Sequence, residues 1–183
     1  MSDFTPPKWM RTWFRTATPL AIWDAAFLLL RPYTYSGHFL GDTVYKAYND
    51  LYVVMDTSYS RAVYEAGGAL NGYVTSVALS QYITDIPLQI LALRLWSSSD
   101  PACVAQGSLV ALVSQFAVFV RTGLFIGSDV LGGFQSTKNG AHWMKLLYYG
   151  TNGAWLVSSA MIVAHFYPKF AEHLRKTLPK RKD

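Results

Sequence analysis

The chain has 183 residues, of which 51% are apolar, 15% aromatic and 15% charged, and its formal net charge is +5. Soluble enzymes usually contain nearer a quarter of charged residues, so this composition favours one small membrane domain. The single cysteine, Cys103, excludes an internal disulfide and any metal site built from several cysteines. Basic residues flank the apolar segments, where lipid headgroups account for them, so no nucleic-acid partner is expected.

The first predicted membrane helix covers about residues 13–31. Between positions 16 and 30 the chain is uncharged except for Asp24, and aromatic residues just before this run can extend it through the interface. Pro32 predicts the end of the helix, because a proline disfavours helix in the residue that precedes it. The segment 32–65 then becomes polar and rich in tyrosine. We expect an ordered, partly helical extramembrane segment that lies over one mouth of a helical bundle.

The second predicted membrane helix, 66–93, contains one charged residue, Asp85. Gln81 lies one turn earlier on the same face. Pro87 removes a backbone donor and predicts a kink. Ionisable residues at bilayer depth usually face a cavity, a partner or a proton path. Hydrogen bonding between helices is the alternative role for these two polar side chains.

Two further membrane helices are predicted at about 102–126 and 146–167. The residues between the second and third helices are turn formers, so these two helices should be antiparallel neighbours. A flexible loop is expected at 127–138. Pro168 is expected to end the fourth helix, and a basic tail, 168–183, follows.

Taken together, these segments predict an all-α membrane protein with a single domain, 1–183. Its fold class would be a four-transmembrane-helix bundle with an internal polar pocket. An even number of spans places both termini on one side, where basic residues are more numerous, and this predicts the cytoplasm or the mitochondrial matrix. We therefore expect a multi-pass protein of the mitochondrial inner membrane or the endoplasmic reticulum. Residues 180–183 approximate a dibasic retrieval signal of the endoplasmic reticulum, although anionic headgroups account equally for a basic tail.

Each predicted helix contributes polar or tryptophan side chains that can line one pocket. They are Asp24, Gln81, Asp85, Gln106, Gln115, Asn152 and Trp155. A tryptophan face beside two acids can hold a cation. Two carboxyl groups close together can share a proton, which suits acid–base chemistry or the binding of an amine. Asp24 and Asp85 are therefore the catalytic candidates, while Trp155 can equally face lipid or fill the core.

The order of these features resembles the EXPERA superfamily, which includes the emopamil-binding sterol isomerase and the sigma-two receptor. The resemblance begins at about Pro19 and extends to the tail. The residues that carry it are Asp24, Leu30-Arg31-Pro32, Asp56-Thr57-Ser58-Tyr59, Gln81, Asp85, Pro87, Asn152 and Trp155. By this resemblance Asp56 matches an aspartate over the pocket mouth, and Gln81 occupies the position of a glutamate. The implied ligand-binding residues are Asp24, Asp56, Gln81, Asp85, Asn152 and Trp155.

Two departures from the isomerase branch weaken the case for catalysis. Leu20 stands where that branch has a histidine, and Gln81 stands where it has a glutamate. Moving a ring double bond requires a positioned acid and a positioned base. The expectation is thus a non-catalytic accessory or structural subunit of a larger membrane complex, with a residual pocket for lipid or sterol. The alternatives are a sterol- or amine-binding receptor-like protein and an active sterol isomerase of the endoplasmic reticulum.

No cofactor is expected. No metal site is expected either, because the four histidines share no ligand spacing. The expected partners are membrane lipids or a sterol, together with other membrane-protein subunits.

Overall fold

The computed structural model describes residues 4–137 and 141–177, and within these ranges the chain is helical with turns and contains no strand. The all-α prediction is therefore confirmed. The helices in chain order are α1 (Lys8–Leu29), α2 (Phe39–Asp42), a π-helix (Tyr48–Tyr52), α3 (Val53–Met55), a 3-10 helix (Thr57–Tyr59), α4 (Arg61–Ala66), α5 (Gly68–Ser80), a π-helix (Gln81–Asp85), α6 (Ile86–Leu95), α7 (Pro101–Leu131) and α8 (His142–Thr177).

The helix α1 begins five residues earlier than predicted, directly after Pro7. Its first turns are helical because Met10 and Phe14 are fully buried against the ends of other helices. The ring of Phe14 lies 5.0 Å from that of Trp96. The helix ends at Leu29, shortly before Pro32, as the proline rule indicates.

The second long helix consists of α5, a π turn and α6 in direct succession. It begins after Gly67, whose φ of 64° is a conformation that glycine adopts without steric cost. In the π turn the amide of Ile86 donates to the carbonyl of Gln81, five residues back. Only Ile86 separates this widened turn from Pro87, which cannot donate a backbone hydrogen bond. Such π turns are frequent at functional sites.

The helices α7 and α8 are both longer than predicted. The helix α7 continues to Leu131, so the expected end at residue 126 and the start of a loop at 127 are wrong. The helix α8 passes through Pro168 and ends at Thr177, so the expected stop is also wrong. The turns after the proline remain helical because Phe166 is buried and the ring of Phe170 stacks at 4.5 Å on that of Phe4. Residues 178–183, including the predicted retrieval signal, lie outside the described residues.

Within the described ranges, one helix, Pro101–Leu131, is long and apolar enough to cross a membrane. Length and composition therefore do not support the predicted four spans. The other long helices differ from α7 in identifiable ways. The helix α1 contains Arg15 and Asp24 together with threonines and tryptophans, which lower its mean hydropathy. The π turn divides the second helix into shorter segments. The helix α8 contains glycine, asparagine and basic residues among its apolar ones.

Two buried apolar clusters lie towards opposite ends of the long helices. One joins the end of α1 to the tyrosine-rich segment 32–65. The other joins the start of α1 to the end of α6, the first half of α7 and the second half of α8. Close approach of α6 and α7 depends on Gly107, where a Cβ atom would lie 2.9 Å from Leu95 Cβ and from Trp96 Cδ1. These contacts leave a cavity among the helices.

Candidate functional site

The cavity has a volume of about 580 Å³ and is lined by α1, the tyrosine-rich segment, the second helix, α7 and α8. Five of the six predicted ligand-binding residues line it: Asp24, Gln81, Asp85, Asn152 and Trp155. The structure thus brings together side chains that are more than 120 positions apart in the sequence. Asp56 is not among the lining residues. Of the other polar residues singled out, Gln106 is exposed, and Gln115 is buried beside Ser159.

Asp24 projects from α1 towards the tyrosine-rich segment. The hydroxyl of Tyr48 donates a short hydrogen bond to Asp24 Oδ1. The hydroxyl of Tyr59 lies 3.4 Å from Oδ2. Tyr48 in turn stacks on Tyr52, with ring centroids 4.7 Å apart. The acid therefore lies in a wall of tyrosines, and no basic side chain of the described residues forms an ion pair with it.

Asp85 forms an ion pair with Arg121 of α7. The aspartate side chain is 1% exposed and that of the arginine 17%. The hydroxyl of Thr84 donates a further hydrogen bond of 3.1 Å to Asp85 Oδ1. Opposite charges attract strongly when they are removed from water, so the two groups neutralise each other inside the bundle. This arrangement differs from the predicted pair of acids, because Asp85 already has a cationic partner.

The predicted helix 102–126 included Arg121, but sequence analysis did not single it out as a cavity residue, since a basic residue after an uncharged run usually lies near a headgroup region. The available signal was that apolar residues resume soon after it. The chain continues as Thr-Gly-Leu-Phe-Ile, and the helix extends ten residues further to Leu131. Arg121 is consequently in the interior of α7, at the level of the cavity.

Asn152 and Trp155 lie on one face of α8, and both contribute to the cavity wall. The side-chain amide of Asn152 donates a hydrogen bond of 2.9 Å to the backbone carbonyl of Tyr148. The ring of Trp155 packs edge-on against that of Trp13, with centroids 5.2 Å apart. Trp155 therefore has one side against α1 and another towards the cavity.

Asp56 has a local structural contact instead of a place in the cavity wall. Its Oδ1 accepts a 3.0 Å hydrogen bond from the Ser58 amide and a 2.6 Å bond from the Ser58 hydroxyl, which caps the 3-10 helix. The residue is fully buried. Burial raises its pKa to about 7, because the charged carboxylate loses solvation, and the bonds from Ser58 offset only part of this.

Asp129, which sequence analysis did not single out, holds the residues after α7. It accepts hydrogen bonds from the Ser136 amide at 2.8 Å, the Thr137 hydroxyl at 2.9 Å and the Tyr149 hydroxyl at 2.6 Å. The backbone amide of Thr57 donates a hydrogen bond of 2.8 Å to the Ser136 carbonyl. This bond joins the tyrosine-rich segment to the loop. The described part of the predicted flexible loop is thus either helical or fixed by these bonds.

Comparison of the chain with protein-family models, with curated proteins and with solved structures finds no match. The resemblance to the EXPERA superfamily therefore stays a prediction, as do the roles that it implies for the cavity residues.

The buried ion pair predicts a large coupling between Asp85 and Arg121. Changing Arg121→Gln leaves a carboxylate buried without its partner, and we expect the free energy of unfolding to fall by about 3–5 kcal/mol. Adding Asp85→Asn in the same chain should recover most of this loss. Thermal or chemical unfolding of the purified chain and its variants in one mild detergent measures both effects.

The matched control is Arg61→Gln, which removes an exposed pair with Glu65. Its effect should stay below about 1 kcal/mol, because solvent screens exposed ion pairs. Equal effects of the two arginine variants would contradict a buried pair.

The raised pKa of Asp56 predicts a pH-dependent contribution to stability. The folded chain holds this proton more tightly than the unfolded chain, so the contribution of Asp56 falls as pH rises from about 4 to about 7. Asp56→Asn should therefore become progressively more stable relative to the wild type over this range. Unfolding midpoints measured against pH test this. The control is Asp42→Asn, which changes an exposed aspartate. The prediction would be contradicted if the difference in unfolding midpoint between Asp56→Asn and the wild type stayed the same at every pH.

Proposed function

We propose that this chain is a non-catalytic membrane protein whose four long helices span the bilayer and enclose a cavity for a lipophilic ligand with a protonated amine. The single observation that carries the ligand class is that Asp24, in an aromatic cavity, forms no ion pair with any described residue, whereas Asp85 is neutralised by Arg121.

Membrane insertion is supported by the distribution of side chains on α7. Most of its buried positions are small or polar, although Val118 and Phe125 are buried too; the small or polar ones include Ser108, Ala111, Ser114 and Gln115. Most of its exposed positions are large and apolar, among them Leu109, Val113, Phe116 and Leu124. Only 33% of its most apolar window is buried. A helix in water buries its apolar face, so this reversed arrangement favours a lipid surrounding.

The second helix has the same arrangement. Leu79, Tyr82 and Ile83 are exposed, whereas Gln89 is buried and accepts a 2.8 Å hydrogen bond from Thr18. Its segments of 13, 5 and 10 residues follow one another without a break. At 1.5 Å per residue they extend about 42 Å, which exceeds the roughly 30 Å hydrocarbon core.

The cavity itself favours a ligand with one cationic end. It holds two carboxylates and one guanidinium group, so an ammonium group beside Asp24 would balance the remaining negative charge. The faces of Tyr48, Tyr52 and Trp155 could contribute cation–π attraction to that group. A volume of about 580 Å³ falls within the range of drug-sized ligand sites. A sterol hydroxyl donating to Asp24 fits the same cavity with a weaker polar contact.

Catalysis of a double-bond shift has weaker support. The reaction needs an acid and a base on opposite sides of the substrate. Asp85 is held by Arg121, and Gln81 cannot exchange a proton at neutral pH. Asp24 alone cannot serve as both groups in one step.

The amine proposal predicts different effects of the two cavity acids. Asp24→Asn should weaken the binding of a radiolabelled lipophilic tertiary amine at least tenfold, because it removes the uncompensated charge. Trp155→Leu should weaken it less. Equilibrium binding to detergent-purified protein measures this. Asp50→Asn, an exposed residue paired with Lys46, is the matched control. Unchanged affinity in Asp24→Asn would contradict the proposal.

A second candidate function, an accessory subunit of a larger membrane complex in the mitochondrial inner membrane or the endoplasmic reticulum, is favoured by the length of α8. Its 36 residues extend about 54 Å, so part of the helix projects beyond a hydrocarbon core of about 30 Å. The exposed Leu174 in the last turns offers an apolar contact to a partner.

The subunit proposal predicts a high native mass. After extraction with mild detergent, the chain should migrate on a native gel far above its 20.5 kDa, together with other membrane proteins identified by mass spectrometry. Migration as a monomer or dimer that retains a lipophilic ligand would contradict the subunit role and leave the binding role as the function.

A further inference from the structure

A second concave surface lies outside the cavity, between α1 and the second long helix. This groove has a volume of about 490 Å³. Its walls are Ile22, Tyr82, Ile86, Pro87, Ile90 and Leu91, and Arg94 also lines it. Positions 82, 86, 90 and 94 follow a four-residue repeat, so they form one continuous face of the helix. The groove is therefore apolar along its length with a cationic group at one end.

A second cation lies at the same end. The bond between Thr18 and Gln89 and the ring contact between Phe14 and Trp96 place the start of α1 beside the end of α6. This antiparallel register puts Arg15 at the level of Arg94. Arg15 also shares a face of α1 with Ile22, seven residues later, because that spacing is close to two helical turns.

Neither arginine is neutralised by a residue that the structure describes. Arg15 and Arg94 are exposed, and neither forms an ion pair within the described parts of the chain. Two guanidinium groups at the end of an apolar groove would attract an anion that has an apolar body. Arginine suits a phosphate in particular, because its planar group can donate two parallel hydrogen bonds to phosphate oxygens.

The length of the groove matches one leaflet. From Tyr82 to Arg94 the helix rises about 18 Å, and half of a hydrocarbon core of about 30 Å is about 15 Å. With Arg94 at the headgroup level, Tyr82 would lie near the bilayer centre, close in sequence to the half-buried Gln81 and the buried Asp85. The apolar walls would then face acyl chains over the depth of a single leaflet.

We infer that this groove binds an anionic phospholipid, with an acyl chain along its apolar walls and the phosphate between Arg15 and Arg94. Basic sites between membrane helices are suited to anionic headgroups. The inference rests on the proposed membrane insertion, but it is independent of the amine proposed for the cavity. It assigns this surface to a lipid, which would fix α1 against the second helix from outside.

The test is a titration of the detergent-purified chain with short-chain phosphatidylglycerol and, separately, with phosphatidylcholine. Native mass spectrometry measures how much of each lipid the protein retains. The melting temperature is measured on the same samples. Phosphatidylglycerol should bind more tightly and raise the melting temperature more, since a ligand of the folded state stabilises it. Arg94→Gln and Arg15→Gln should each weaken phosphatidylglycerol binding about fivefold. Arg94→Lys keeps the charge but cannot donate two parallel hydrogen bonds, so its affinity should lie between those of the wild type and Arg94→Gln, and Arg15→Gln tests the site if Arg94→Gln does not fold.

The matched control is Arg175→Gln, which removes the same charge from an exposed position near the end of α8. It should leave phosphatidylglycerol affinity unchanged. Equal affinity of the wild type for the two lipids, or an equal loss in Arg175→Gln, would overturn the inference. Extraction of membranes with alkaline carbonate separates the two proposals. A released chain would contradict membrane insertion and the lipid site together, whereas a retained chain without lipid preference would contradict the lipid site alone.

Discussion

The ion pair between Asp85 and Arg121 is the constraint on which the centre of the molecule depends. Each group alone would be costly to bury, so the second helix and α7 must stay in the rotation that keeps them in contact. The π turn ends at Asp85, and it widens the helix at the point where the carboxylate faces α7. With this pair formed, the remaining wall of the cavity is supplied by α1, α8 and the tyrosine-rich segment.

The two acids of the cavity thereby acquire different properties. Asp85 is neutralised within the protein, and its main effect is on the packing of helices. Asp24 accepts hydrogen bonds from Tyr48 and Tyr59, and its carboxyl group is the one that would pair with the amine of the proposed ligand. The segment that supplies these tyrosines is itself held by Asp129, through the loop that also contacts Thr57. The position of this part of the cavity wall therefore depends on residues outside the cavity.

The distribution of polar and apolar side chains between the interior and the outer surface supports the proposed membrane location. Polar groups that would normally face water, such as Gln89 and Gln115, are buried and hydrogen-bonded to Thr18 and Ser159. Large apolar side chains occupy the exposed faces instead. Such a surface is stable where the surroundings are apolar, and interhelical hydrogen bonds then add to the packing of the two buried apolar clusters in holding the helices together.

The sequence alone was enough to predict the helical class, the approximate positions of the long helices and five of the residues that line the cavity. These depend on local properties: apolar runs, turn formers and the spacing of Gln81 with Asp85 or Asn152 with Trp155. It did not determine the helix ends at Leu131 and Thr177, because packing by distant residues such as Phe4 stabilises turns that local rules would end. The pairing of Arg121 with Asp85 and the capping role of Asp56 outside the cavity became visible only in the folded chain, because the partner of a buried charge depends on how helices far apart in sequence are rotated against one another.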